Sequence, residues 1–289
     1  MQKKVAAFHD ISGFGRCALT TAIPVLSACG LHCCSVPSAV LSAHTAFKGV
    51  TFRDLTQDLD AFIANWESIG VKLDSIYSGY LGSEKQIEQV LALRKACGKE
   101  DCLLIVDPVM GDNGKAYSIV SNENFVMAIR DLCCKADVIT PNLTECSLLL
   151  GMGADGYEDT PEAAEDYMRR LAAKGPGQVV VTGLSNGEQV GAGYYDKATD
   201  TVGFVFHERV PTYFPGTGDL FTSVLTARLS GEQKCSLEKA ARFADQPALT
   251  QRWLLATPVG RRSLCRPAKF AVFRLPAWRQ LALPATATT

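Results

Sequence analysis

The chain lacks any run of about 18 apolar residues, so no segment reads as a bilayer-spanning helix. It lacks Gly-x-x-x-x-Gly-Lys-Ser/Thr, which excludes a P-loop enzyme. It lacks Cys-x-x-Cys spacing, although it holds eleven cysteines. The neighbouring pairs Cys33-Cys34 and Cys133-Cys134 are poor candidates for two ligands of one zinc. The four histidines, at 9, 32, 44 and 207, show no metal spacing, and His44 reads as a pocket or core residue. Net charge is nearly absent at −1, which gives no reason to expect nucleic acid or an anionic membrane as partner. The apolar run after Met1-Gln2-Lys3-Lys4 is too short for a signal peptide and reads as a first strand. Reduced thiols acting as small buried hydrophobes, in a cytoplasmic protein, are the expectation.

What is present suits a globular α/β protein. The 289 residues are 47% apolar and 20% charged, enough for one large domain or two small ones. Short β-branched runs at 4–8, 32–37, 75–78, 103–107, 138–140 and 178–182 predict strands. Helical periods fall between them, at 16–29, 54–69, 83–97, 121–134 and 160–173. In the second helix Leu55, Leu59, Phe62, Ile63, Trp66 and Ile69 fall on one stripe. Repeated strand–helix alternation predicts a mostly parallel sheet with helices on both faces. Runs near 189–195 and 201–208 predict an antiparallel hairpin.

Residues 246–289 differ in kind. They carry seven Lys or Arg, five Pro and no acid, while residues 1–245 carry 22 basic against 30 acidic side chains. Three readings stand: a basic interaction tail, an unusual folded subdomain, or coding sequence read out of register. The Arg, Pro, Ala and Leu bias favours the third. The expected organisation is one domain over 1–245 followed by this atypical segment.

Sheets of this kind place ligands beyond the carboxyl ends of their strands. Polar and acidic residues collect at those ends: Asp10 and Ser12, then His44 and Thr45, then Gly79-Tyr80, then Asp107 through Asp112, then Asn142 through Glu145. Pro215-Gly216-Thr217-Gly218-Asp219 precedes a segment at 222–229 that reads as an amphipathic helix. Two glycines before a helix leave backbone N–H groups at its positive end open to an anion. Asp219 in the first turn is either a dipole-compensating cap or a base beside an anion site. Asp107, Asp112 and Glu145 are each either caps or surface charges, or a set suited to magnesium and nucleotide phosphates. Gly151-x-Gly153-x-x-Gly156 matches a dinucleotide pattern but follows an expected helix at 143–150 and carries no weight.

Ser78-Gly79-Tyr80-Leu81-Gly82, Asp107-Pro108-Val109-Met110-Gly111-Asp112, Thr140-Pro141-Asn142-Leu143-Thr144-Glu145 and Gly216-Thr217-Gly218-Asp219 together resemble the ribokinase-like superfamily, and within it the pyridoxal/pyridoxamine kinases. The likeness runs from residue 3 to about 245. It implies ATP-dependent phosphorylation of the hydroxymethyl group of a B6 vitamer, by a cytoplasmic homodimer. It implies Asp219 as base, the backbone of Gly216, Thr217 and Gly218 as anion hole, and Mg2+ with K+ or Na+ near Asp107, Asp112 and Glu145. Asn142, Thr182 and Tyr117 would serve the nucleotide. Asp10, Ser12, His44, Thr45 and Tyr80 would surround the pyridine ring. The Asp-x-Ser-Gly character of the first loop is partly like that of hydroxymethylpyrimidine kinases, which keeps that acceptor as an alternative, alongside a weakly active chain that binds B6 or nucleotide. A sugar kinase fits less well, because the stretch between the first two strands is short for a lid. In this family a helix and part of the adenine pocket follow the Gly-Thr-Gly-Asp helix. Residues 246–289 resemble neither, so reduced ATP affinity and stability are expected.

Overall fold

A computed structural model of the chain describes residues 2–209, 215–231 and 234–246. The readings of residues 247–289, and the junction between the hairpin and Pro215, lie outside the described residues. In chain order the elements are β1 (Lys4–Ser12), α1 (Leu19–Ala28), β2 (His32–Leu41), β3 (Phe52–Asp54), α2 (Thr56–Ser68) and β4 (Leu73–Ser78). Next come α3 (Glu84–Cys97), β5 (Gly98–Val106), β6 (Gly111–Asp112), β7 (Lys115–Ala116), α4 (Glu123–Lys135) and β8 (Val138–Ile139). The remainder are α5 (Leu143–Leu150), α6 (Pro161–Ala173), β9 (Gln178–Asn186), β10 (Gln189–Asp196), β11 (Thr201–Glu208), α7 (Thr217–Ser230) and α8 (Leu237–Ala244).

One sheet runs in the order β11-β10-β9-β8-β5-β4-β1-β2-β3. Its six central strands are parallel, and only β3, β10 and β11 run against their neighbours. Alternation along β1 sends Ala6 and Phe8 to one face and Val5 and Ala7 to the other, so each face has its own core. Helices α2 to α6 cover the first face, and α1, α7 and α8 cover the second. Local sequence fixes several helix starts. Ser83 accepts from the Gln86 N–H and Thr160 from the Ala163 N–H, with Pro161 at the first helical position.

The expected strands and helices are present, with differences at their ends. Strand β1 does not stop at Phe8. Its pairing with β2 continues to Ser12↔Leu41 across a bulge, where Asp10 faces the extra residue of β2. Asp10 and Ser12 are therefore strand residues and not loop residues. The helix after Gly218 is not amphipathic: Leu220 through Ala227 are all buried, because α7 packs on the sheet between α1 and α8. In α2 the stripe ends early, since Ile69 is exposed. Ten described cysteines are free, as expected, but Cys134 is exposed and so is not a core thiol. Gly151 ends α5 in a left-handed conformation, so the Gly-x-Gly match is a helix C-cap.

Candidate active site

A cavity of about 720 Å³ opens at the carboxyl ends of the parallel strands. It collects every residue singled out from the sequence: Asp10, Ser12, His44, Thr45, Tyr80, Asp107, Asp112, Tyr117, Asn142, Glu145, Thr182, Gly216, Thr217, Gly218 and Asp219. The topology explains the gathering. Strand β1 is flanked by β2 on one side and β4 on the other, so the chain leaves it in two directions and a crevice remains above its end.

At the head of α7, Gly216 adopts φ +81°, and a Cβ there would overlap the carbonyl oxygen of Arg16. Only glycine fits this turn. A Cβ at Gly218 would meet no protein atom within 4 Å, so the space over it is open. The first intrahelical bond is donated by Leu220 to Gly216, and no side chain caps the helix. The N–H groups of Thr217, Gly218 and Asp219 thus lie outside the helical ladder, at the positive end of the dipole. N–H groups left open in this way at a helix start are able to hold an anion.

Asp219 is held from the start of α1, which lies beside α7 on the same face of the sheet. The Ala18 N–H donates to its Oδ2 at 2.8 Å. Ala18 takes φ 48° and ψ −130°, a costly conformation for a non-glycine residue, and that bend delivers the N–H. Asp219 sits in the first turn of α7 without capping it, and its carboxylate is turned toward α1 and lines the cavity. Beside it, Ser12 donates to Asp10 at 3.2 Å, and burial with the nearby Asp219 charge pushes the Asp10 carboxyl up to about 6.

The other carboxylates differ in how their oxygens are used. Glu145 accepts the N–H of Met110 at 3.1 Å and of Asn142 at 2.9 Å, while Asn142 accepts the Glu145 N–H. This is a capping box for α5. The Asn142 amide also donates to the Gly111 carbonyl at 2.8 Å, tying α5 to β6. Asp107 is buried, and desolvation, then Glu145, then Asp219 raise its carboxyl far above the ordinary range. Burial likewise raises Glu145, against the pull of its backbone donors. Among the described residues no three ligating side chains converge on a ready-made metal cage. A bound cation would favour the ionised form of the Asp107 carboxyl that burial and the neighbouring acids disfavour, and a magnesium ion completed by water and phosphate oxygens fits these residues. Thr182 pairs with Asn142 across the β9 edge, and Thr222 bonds Thr140 at 3.1 Å beneath it.

One residue was not carried into the candidate site, although it follows the expected first strand directly. His9 lines the same cavity, wholly buried, with Nδ1 3.9 Å from Asp219 Oδ1. It lies within β1, and the approach of α7 is what sets it beside Asp219.

The chain matches the family described as phosphomethylpyrimidine kinase over residues 19–254. A pyridoxine/pyridoxal/pyridoxamine kinase of Bordetella avium is 33% identical over 243 residues, which cover 81% of this chain and 79% of that protein. A Saccharomyces cerevisiae protein assigned as a pyridoxal kinase is 30% identical over 208 residues, 68% of this chain and only 64% of its own length. Among solved structures, pyridoxal kinase from Lactobacillus plantarum superimposes with a TM-score of 0.77 at 30% identity, covering 87% of each chain. A Bacteroides thetaiotaomicron protein assigned as a phosphomethylpyrimidine kinase, in a crystal form with pyridoxal, gives 0.76 at 40% identity over 84% of this chain and 86% of that one.

Proposed function

The chain belongs to the phosphomethylpyrimidine kinase family and has the ribokinase-like fold, and from that premise we propose that it transfers the terminal phosphoryl group of ATP to the hydroxymethyl group of pyridoxal, pyridoxine or pyridoxamine. The observation that carries this reading is the head of α7. There a carboxylate turned into the cavity stands beside three N–H groups outside the helical ladder and an open space over Gly218. Kinases of small alcohols supply mainly position and charge complementarity to phosphoryl transfer. Asp219 accepts the hydroxyl proton as the new O–P bond forms, and the electron pair of the breaking P–O bond leaves on ADP. The N–H groups of Thr217, Gly218 and Asp219 receive the charge on the moving phosphoryl group. Asp107, with Asp112 and Glu145 nearby, would hold magnesium, which when bound neutralises phosphate charge. Asn142, Thr182 and Tyr117 flank the nucleotide side. Asp10, Ser12, His44, Thr45 and Tyr80 flank the acceptor side.

The names of the relatives and the pyridoxal complex favour a B6 vitamer over a hydroxymethylpyrimidine as acceptor. The same proposal includes a K+ or Na+ ion, a homodimer and a cytoplasmic setting, all carried by the likeness to pyridoxal kinases. Incubation with Mg-ATP and a panel of pyridoxal, pyridoxine, pyridoxamine and hydroxymethylpyrimidine tests it. A higher kcat/KM for a B6 vitamer is expected. A preference for hydroxymethylpyrimidine would overturn the acceptor, and no turnover of any of them would overturn the activity.

A further inference from the structure

The structure treats the two oxygens of Asp219 differently. Oδ2 accepts the Ala18 N–H at 2.8 Å. Oδ1 lies 3.9 Å from His9 Nδ1, a little beyond hydrogen-bond reach. His9 is 0% exposed, yet among the described residues neither ring nitrogen has a protein hydrogen-bond partner. An imidazole buried without partners costs stability that a ring used only as filler would not repay. The ring is also pinned. It packs edge-on against Tyr77, with centroids 4.6 Å apart, and it fills the space that Gly79 leaves, where any Cβ would overlap the ring. Among the described residues the acidic group within 4 Å of this confined ring is the Asp219 carboxylate.

We propose that His9 is a positioning residue for the base: in the loaded site its Nδ1–H donates to Asp219 Oδ1, so that His9 and the Ala18 N–H together fix the rotation of the carboxylate against the acceptor hydroxyl. The inference rests on Asp219 being the base. Burial lowers the basicity of His9 against the opposing pull of Asp219, which leaves a neutral ring with one N–H to give. With one lone pair of Oδ2 held by Ala18 and one of Oδ1 held by His9, the carboxylate plane is fixed and a remaining lone pair is presented to the substrate in one orientation. Misplacing a reacting group by about 1 Å costs on the order of 100-fold in rate, which sets the size of the effect.

Side-chain isosteres separate positioning from packing. The amide nitrogen of asparagine falls where Nδ1 stands, whereas that of glutamine falls where Nε2 stands. His9→Leu should lower kcat about 10- to 100-fold while KM for ATP and pyridoxal stays within about threefold, the split that marks an interaction made in the transition state. His9→Asn should recover most of that loss and His9→Gln should not. If His9 were only filler, the larger glutamine would serve at least as well as asparagine, and rates would follow melting temperature; either result overturns the proposal. Asp219→Asn is the control for the underlying reading. If it retains turnover, the base assignment fails; if it abolishes turnover while all His9 variants keep full kcat, only the present inference fails. Should the His9 variants not fold, 15N NMR of the unaltered full chain with AMP-PCP and pyridoxal decides the matter. An Nδ1-protonated His9 supports the proposal, and an Nε2-protonated one overturns it.

Discussion

The two edges of the central sheet carry the same residue type in opposite circumstances. At the amino end, Asp74 on β4 is buried, and burial alone would raise its carboxyl. Lys99 at 2.7 Å, the Lys4 N–H and Lys3, both at 2.9 Å, outweigh that and bring it down to about 2. Asp137, entering β8, is tied to Arg94 and to the Leu104 N–H, each at 2.7 Å. At the carboxyl end, Asp10, Asp107, Glu145 and Asp219 stand around one cavity, and among the described residues no lysine or arginine pairs with any of them. Asp10 and Asp107 are raised there by burial and by one another's neighbours. A compensated carboxylate pins a strand; an uncompensated one is a cost kept for a cation, a proton or a phosphoryl group still to arrive.

The contrast breaks most sharply at Asp107. Asp107→Asn removes a buried carboxyl that burial and two neighbouring acids hold far above the ordinary range, so the free protein should gain a few kcal/mol of stability while phosphoryl transfer falls more than about 100-fold. Thermal melts and steady-state rates on one preparation check both signs. Asp10→Asn is the next largest. A carboxyl at about 6 when folded and about 3.9 when unfolded contributes fully below pH 4, and its contribution is lost as pH climbs through 6. The variant should therefore be flat over that window and about 2 kcal/mol more stable at pH 7, which urea melts from pH 4 to 7 measure. Asp74→Asn should do the reverse. Its contribution is present above about pH 4 and is lost as pH falls through 2. Its lysine partners are 30% and 41% exposed, so solvent screening limits the loss at pH 7 to about 1 kcal/mol, with kcat unchanged. If Asp10→Asn and Asp74→Asn shift stability in the same direction, the distinction between the edges is wrong.

Much of this was legible before any coordinates. Strong apolar periods named the parallel strands and five flanking helices; the rule for strand ends, the glycine-rich start of α7 and the family resemblance (for Tyr117 and Thr182) together named the residues that line one cavity. What escaped lacked a periodic signal. Strand β3 has three exposed residues and exists because Val40 and Leu41 of β2 offer it an edge. The two-residue strands β6 and β7 are a turn around Asn113 and Gly114, and in α8 the buried positions 237, 240, 241 and 244 keep helical spacing but three of the four are alanines, which give little apolar contrast. The buried α7 was read as amphipathic because its threonines and serines look polar, yet they sit in the core between α1 and α8. His9 escaped because its partner lies 210 residues away and the glycine that makes room for it, Gly79, is on a different strand end.

Pre-steady-state phosphoryl transfer by Asp219→Asn, with calorimetric binding of ATP and pyridoxal to the same variant, tests the base most directly. Loss of transfer by about 1,000-fold or more with affinities kept within a few-fold is the expected result. Transfer at the unaltered rate, or a loss wholly explained by weakened binding, would contradict it.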